Sequence, residues 1–231
     1  MPDTPGRRRT GNRYSFEGAL DLTHTLENGM PVYPGDPSPS FERYATIEKE
    51  GVNLTRLVLG SHTGTHIDAP KHFIQGGEGI DRIPPSSFVG EAFAIDVSYR
   101  EVGSAVTRED LERHSALIRR GDAVLLYTGC SEMWGDESVL RNYTHLSSES
   151  AEYLVSLGAR CVGIDFLSVE AFNARDPVVH RTLLSSGVYI IESLSSSLKR
   201  LTGRRFLLIS LPLKLKDGDG APCRAVALPE E

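Results

Sequence analysis

Cysteine is scarce: Cys130, Cys161 and Cys223 are the only three in 231 residues, and no C-x-x-C spacing occurs. This excludes a zinc knuckle, a dithiol redox couple and a disulfide scaffold, and it fits a reducing cytoplasm. Long apolar runs are also missing. The longest uncharged apolar stretch, residues 206–213, falls far short of the roughly 20 residues that cross a bilayer, so no membrane span is expected. Arg7, Arg8 and Arg9 precede no apolar segment, so no signal peptide is expected there. Positive charge is in deficit: 25 Lys+Arg against 31 Asp+Glu give a net charge of −6. No field exists to draw in nucleic acid or an anionic membrane, so a small molecule is the expected partner. Repeats and low-complexity linkers are absent as well. Residues 1–15 read as a loose tail and residues 16–231 as one domain, long enough to bury a substantial core.

What is present reads as a mixed α/β chain. Residues 19–25 and 41–47 are short, turn-bounded strands, and residues 53–59 alternate Leu54, Arg56 and Val58 with Thr55, Leu57 and Leu59, the period of a strand. Between them Pro31, Pro34 and Pro37 brace a loop that holds Tyr33. Thr107 with Asp110 three residues on forms a capping box, and Leu111 and Ile118 share a helical face before Gly121, which predicts a helix across that span. A strand over 123–128, a helix over 148–157 closed by Gly158, and a strand over 161–165 follow. Asp176-Pro177 opens a further helix that Gly187 stops. Residues 188–191 and 206–211 are almost wholly apolar, as central strands buried on both faces are.

The histidines are unevenly spread. Of seven, His62, His66 and His72 crowd one short segment that also holds Asp68. Imidazole and carboxylate are donors that Zn²⁺ or Mn²⁺ accepts, and a set without Cys favours open, catalytic coordination over a closed structural shell. In a straight strand His62 and His66 would stand about 13 Å apart, too far for one ion. A helix is disfavoured by Gly64, by the β-branched Thr63, Thr65 and Ile67, and by Pro70. The segment is therefore expected to leave a strand near Leu59 or Gly60 and bend at Gly64, folding the two imidazoles towards one point. Elsewhere, Cys130 and Ser195-Ser196-Ser197 lack the partners of a nucleophile, and Trp134 reads as a packing residue.

The run His62-x-Gly64-Thr65-His66-x-Asp68-x-Pro70-x-His72-Phe73 resembles the signature of the cyclase-like metal-dependent hydrolases, the family that includes bacterial kynurenine formamidase and isatin hydrolase. Asp21-Leu22-Thr23, Pro34-Gly35-Asp36, Gly163-Ile164-Asp165 and the segment from Leu211 to Val226 are similar to further elements of that family. The resemblance implies a swivelling β/β/α fold, a barrel-like mixed sheet with flanking helices. It implies His62, His66 and Asp68 as ligands of one divalent ion, His180 and Glu192 as completing a second position that Asp68 bridges, and His72 as the acid/base. It further implies Tyr33 as the ring that stacks on substrate, where the formamidases carry Trp, and a homo-oligomer, a dimer or larger.

The expected activity is hydrolysis of a C–N bond in a small aromatic amide, either an arylformamide such as N-formylkynurenine or a cyclic amide such as isatin. The expected nucleophile is a metal-bound hydroxide, the ion lowering the pKa of water from near 15.7 towards ~7. Two alternatives stay open on the same residues. One is a cyclase or dehydratase, in which the ion polarises a carbonyl for loss of water; the other is a catalytically silent metal or small-ligand binding protein.

Overall fold

Turn-bounded apolar runs of a few residues each make short strands, and the computed structural model describes these through Tyr14 and residues 16–230. The tail expected over residues 1–15 lies outside the described residues save for Tyr14. That residue forms an antiparallel bridge with Glu230 and donates its hydroxyl to Glu91 at 3.0 Å. The strands are β1 (Leu20–Asp21), β2 (Ser40–Ala45), β3 (Leu54–Val58), β4 (His66–Asp68), β5 (Val89–Asp96), β6 (Ala105–Val106) and β7 (Ala123–Tyr127). They continue as β8 (His145–Leu146), β9 (Cys161–Ile164), β10 (Tyr189–Glu192), β11 (Arg205–Pro212) and β12 (Gly220–Pro229). The helices are α1 (Ile47–Glu50), α2 (Arg108–Glu112), α3 (Ser148–Ser156) and α4 (Val178–Ser185).

Seven strands close into a mixed barrel in the order β12-β11-β5-β7-β9-β10-β4, with β4 pairing back onto β12. The β5-β7-β9-β10 stretch is parallel and the remaining pairs are antiparallel. Alternation along each strand sorts the apolar residues into two layers. Ala92, Ala94, Ala123, Leu125, Ile191 and Ala225 fill the interior. Phe93, Ile95, Val124, Leu126, Val162 and Ile190 face outward against Leu154 of α3 and Val179 and Leu183 of α4. The mixed α/β barrel with few helices is the class expected from the sequence.

Three local expectations are corrected. Residues 206–211 are not buried on both faces: β11 alternates, and Leu211 is 47% exposed. The outward positions of β11 are only partly covered among the described residues, as on a sheet face without a packed helix layer. The capping box at Thr107 and Asp110 forms, but α2 stops at Glu112. The Ser115 hydroxyl donates to the Glu112 carbonyl at 2.8 Å, and a separate 3₁₀ turn follows, a local bond that competes with helix continuation. Pro177 stands at the N-cap of α4, not in its first turn, and supplies no side-chain cap.

β2 and β3 form a two-stranded arm outside the barrel and, among the described residues, pair only with each other. Every residue of β3 is exposed. The arm leaves the barrel through the Tyr33 loop and returns through the His62 loop. Trp134 stacks on His24 with ring centroids 3.8 Å apart and packs edge-on against Phe166, the packing role expected of it.

Candidate active site

Gly64 carries φ +63°, and a Cβ there would lie 2.5 Å from Leu26 Cδ2. A residue with a side chain meets both a left-handed backbone and a filled space, so glycine makes this bend. The bend brings the His62 and His66 rings to 4.9 Å. The chain then straightens into β4, where Ile67 points into the barrel and His66 and Asp68, two positions apart, point the other way. The partner strand β10 places Glu192 directly opposite His66. Ser193, which follows, holds φ +56°, and its carbonyl accepts the Thr65 hydroxyl at 2.5 Å, tying the turn after β10 to the bend before β4. His180 arrives from α4. Gly220 on β12 closes the far side, where a Cβ would meet His62 Cε1 at 2.7 Å.

Asp68 lies at the centre. Its Oδ1 is 2.9 Å from His62 Nδ1 and 3.3 Å from His66 Nε2, and its Oδ2 is 3.7 Å from His180 Nε2. Glu192 reaches His66 Nε2 at 3.5 Å and His180 Nε2 at 3.2 Å. Its Oε1 also accepts the Val169 N–H at 2.8 Å. His66 Nδ1 donates to the Gly64 carbonyl at 2.7 Å, which leaves Nε2 as the nitrogen facing the cluster.

This set fits a divalent cation. His66 Nε2 and Asp68 Oδ2 are buried with no hydrogen-bond partner among the described residues, and a buried polar atom without a partner is costly unless something else satisfies it. Two donors about 2.0–2.1 Å from one ion at a tetrahedral angle stand roughly 3.3 Å apart, the scale of the separations around Asp68 and Glu192. Donor atoms of His66, Asp68 and Glu192 lie within 4.8 Å of one another, and so do those of His62, Asp68 and His72.

Electrostatics point the same way. Burial alone would raise both carboxylates, yet the His62 and His66 imidazoles hold Asp68 well below its usual range, and His180 and His66 hold Glu192 at about 2. Burial alone would depress the imidazoles. Asp68 and Glu192 instead push His66 up to about 10, and Glu170 and Glu192 push His180 up to about 10. The pocket demands positive charge, which protons supply when no other cation does. His72 differs: burial lowers it, and its ring stacks on His62 at 3.9 Å with 28% of the side chain exposed.

All of the residues singled out in the sequence meet here. His62, His66, His72, His180, Glu192 and Tyr33 line one cavity of about 280 Å³, with Asp68 buried beneath it. Tyr33 packs on Phe172 at 5.6 Å. Two acidic residues were not foreseen. Asp219 lies 3.4 Å from His62 Nε2 and 3.8 Å from His72 Nδ1, and Glu170 lies 3.3 Å from His180 Nδ1. Asp219 sits in Asp217-Gly218-Asp219-Gly220, which in sequence is simply a turn. Glu170 had one signal: a helix opened by proline without a side-chain cap must find its acceptor elsewhere.

The class that this fold and site define is a metal-dependent hydrolase. A family profile described as "Putative cyclase" matches residues 20–171. The kynurenine formamidase of Bacillus cereus is 34% identical over 211 residues, 91% of this chain and 97% of that protein. The solved structure of a potential metal-dependent hydrolase with cyclase activity superposes with a TM-score of 0.77 at 33% identity, covering 92% of this chain and 98% of that one. Isatin hydrolase A from Labrenzia aggregata, bound to benzyl benzoate, has a TM-score of 0.83 at 27% identity, covering 92% and 94%. The chain belongs to the cyclase family.

Proposed function

We propose that the protein hydrolyses the C–N bond of a small aromatic amide, an arylformamide such as N-formylkynurenine or a cyclic amide such as isatin. The observation that carries this is the pair of orphaned donors, His66 Nε2 and Asp68 Oδ2, at the base of a cavity walled by Tyr33 and Phe73. His62, His66 and Asp68 would hold one Zn²⁺ or Mn²⁺, and Asp68, His180 and Glu192 a second. A bound divalent ion supplies Lewis acidity, lowering the pKa of water towards ~7 and polarising the carbonyl oxygen.

The chain's own residues do the rest. Tyr33 and Phe73 present aromatic surface that orients a planar substrate with its amide towards the imidazoles. His72, partly open to the cavity where His66 and His180 are buried, is placed to take a proton from water and return it to the leaving nitrogen. Phe73, tilted against His180 at 4.3 Å, screens the cluster from bulk water. The names of the relatives, a formamidase and an isatin hydrolase, support hydrolysis over ring closure.

The test is to strip the protein with chelator, reload it with Zn²⁺ or Mn²⁺ and assay N-formyl anilides and isatin-like lactams. Recovery with metal is expected; activity indifferent to metal would sink the reading. We place the protein in the cytoplasm, on the support of three free, buried thiols. No helix among the described residues is long and apolar enough to cross a membrane.

We also assign a second copy of the chain to the β2–β3 arm. Tyr44, Ile47, Val52, Leu54, Leu57 and Val58 are 49–70% exposed there, and a lone hairpin is marginal in water. Leu54 and Val58 lie on one face of the hairpin and Leu57 on the other, so the arm offers apolar surface on both sides for a second copy to cover.

A further inference from the structure

The segment that follows β9 grips two of the three protein groups assigned to the second ion, Glu192 and His180. Val169 donates its N–H to Glu192 Oε1 at 2.8 Å. The next residue, Glu170, turns back to α4, where its Oε2 accepts the N–H of Val179 at 2.9 Å and of His180 at 3.3 Å. That same oxygen faces His180 Nδ1 at 3.3 Å. One carboxylate oxygen therefore does two things. It satisfies the free N–H groups of a helix whose N-cap, Pro177, has no side-chain acceptor, and it sets the rotation of the histidine in that first turn. Glu170 is largely shielded, its side chain 13% exposed, and its own N–H is held by Ser168 Oγ at 3.1 Å.

The opposite ring nitrogen is the one that matters for coordination. His180 Nε2 faces Glu192 at 3.2 Å and Asp68 at 3.7 Å. A carboxylate against Nδ1 keeps the proton there, so Nε2 presents its lone pair to the cluster, and the negative charge makes that lone pair more basic. We propose that Glu170 is a positioning residue that fixes the tautomer and rotation of His180 and thereby sets the affinity of the second metal position. This rests on the reading that His180 and Glu192 hold an ion.

The test compares wild type, Glu170→Gln and Glu170→Ala in calorimetric Zn²⁺ titrations, with ion content measured after dialysis and histidine tautomers read from long-range ¹⁵N–¹H spectra of the zinc-loaded protein. Gln keeps an oxygen for the helix N–H groups but loses the charge, so a purely structural cap would be preserved in it. The expected result is that wild type shows an Nδ1–H signal for His180 and binds two ions. In both variants the second ion should bind about 10- to 100-fold more weakly, the usual effect of removing an outer partner of a metal-bound histidine, while the first is unchanged. Equal affinity of wild type and Glu170→Gln for both ions overturns the role of Glu170 alone. Fewer than two ions on wild type overturns the two-ion reading, and the role of Glu170 with it.

Discussion

Asp68 borders both halves of the site, with Oδ1 towards His62 and His66 and Oδ2 towards His180, whereas His72 stacks on His62 at 3.9 Å and meets His180 only edge-on at 6.2 Å. The two residues should therefore fail differently. His72→Ala is expected to keep its ions in elemental analysis while kcat falls by roughly 10²–10⁴, the range of a lost general acid/base. If the ion at His62 leaves as well, His72 is a ligand and the acid/base assignment is wrong. A carboxylate remote from the site gives a prediction for pH. Burial alone would raise Asp110, but hydrogen bonds from Arg100, Tyr99 and Thr107 bring it down to about 2, against about 3.9 in an unfolded chain. A lowered pKa stabilises the fold above the unfolded value, and that contribution is lost as pH falls from about 4 through about 2. Asp110→Asn should remove about 1–2 kcal/mol in urea unfolding at pH 6 and progressively less below pH 4; an unchanged difference across that window would refute the assignment.

At the level of elements, the bend between β3 and β4 is the part on which the site depends most. Gly64→Ala forces a side chain into left-handed backbone and against Leu26 and Met30, at a cost of at least about 1 kcal/mol. Metal binding is expected to be lost while the far-ultraviolet circular dichroism of the barrel is retained; tight binding in the variant would show that the bend can re-form. This bend was legible in sequence because Gly64, the β-branched Thr63 and Thr65, and Pro70 each exclude an alternative. So was the capping box of α2, which depends on residues only three apart. Barrel closure was legible only through the family resemblance, because β4 is three residues long and carries no period to read. The exposed face of β11 was not legible, since an apolar run looks the same whether or not a helix covers it. Asp219 escaped because its partner His62 is 157 residues away; Glu170 lies only ten residues before His180, but its one signal, a helix start without a side-chain cap, does not say which acidic residue supplies the acceptor.

At the scale of the molecule, the arm and the site are joined. The arm springs from the Tyr33 loop at one root and the His62 loop at the other, so whatever holds the arm also steadies two walls of the cavity. Leu54→Lys with Leu57→Lys should convert an oligomer into monomer in multi-angle light scattering and raise KM more than it lowers kcat; a wild type that is itself monomeric would sink the assignment. Ion binding should also show in global stability. An ion held by native geometry and not by the unfolded chain adds about 2.7 kcal/mol at a hundredfold excess over Kd, so chelator is expected to lower the Tm by several degrees, reversibly on adding Zn²⁺ or Mn²⁺. A Tm indifferent to chelator would separate the cluster from metal.

The strand that carries His66 and Asp68 is also the one that shuts the barrel, through pairing with residues 189–192 on one side and 220–222 on the other. Those partners are synthesised long after β4 itself, and contacts so remote in sequence form late in folding. A nascent chain still on the ribosome thus holds the histidine-rich loop but not the cradle. A chain cut short before residue 189 is therefore expected to lose the assembled site together with the closed barrel.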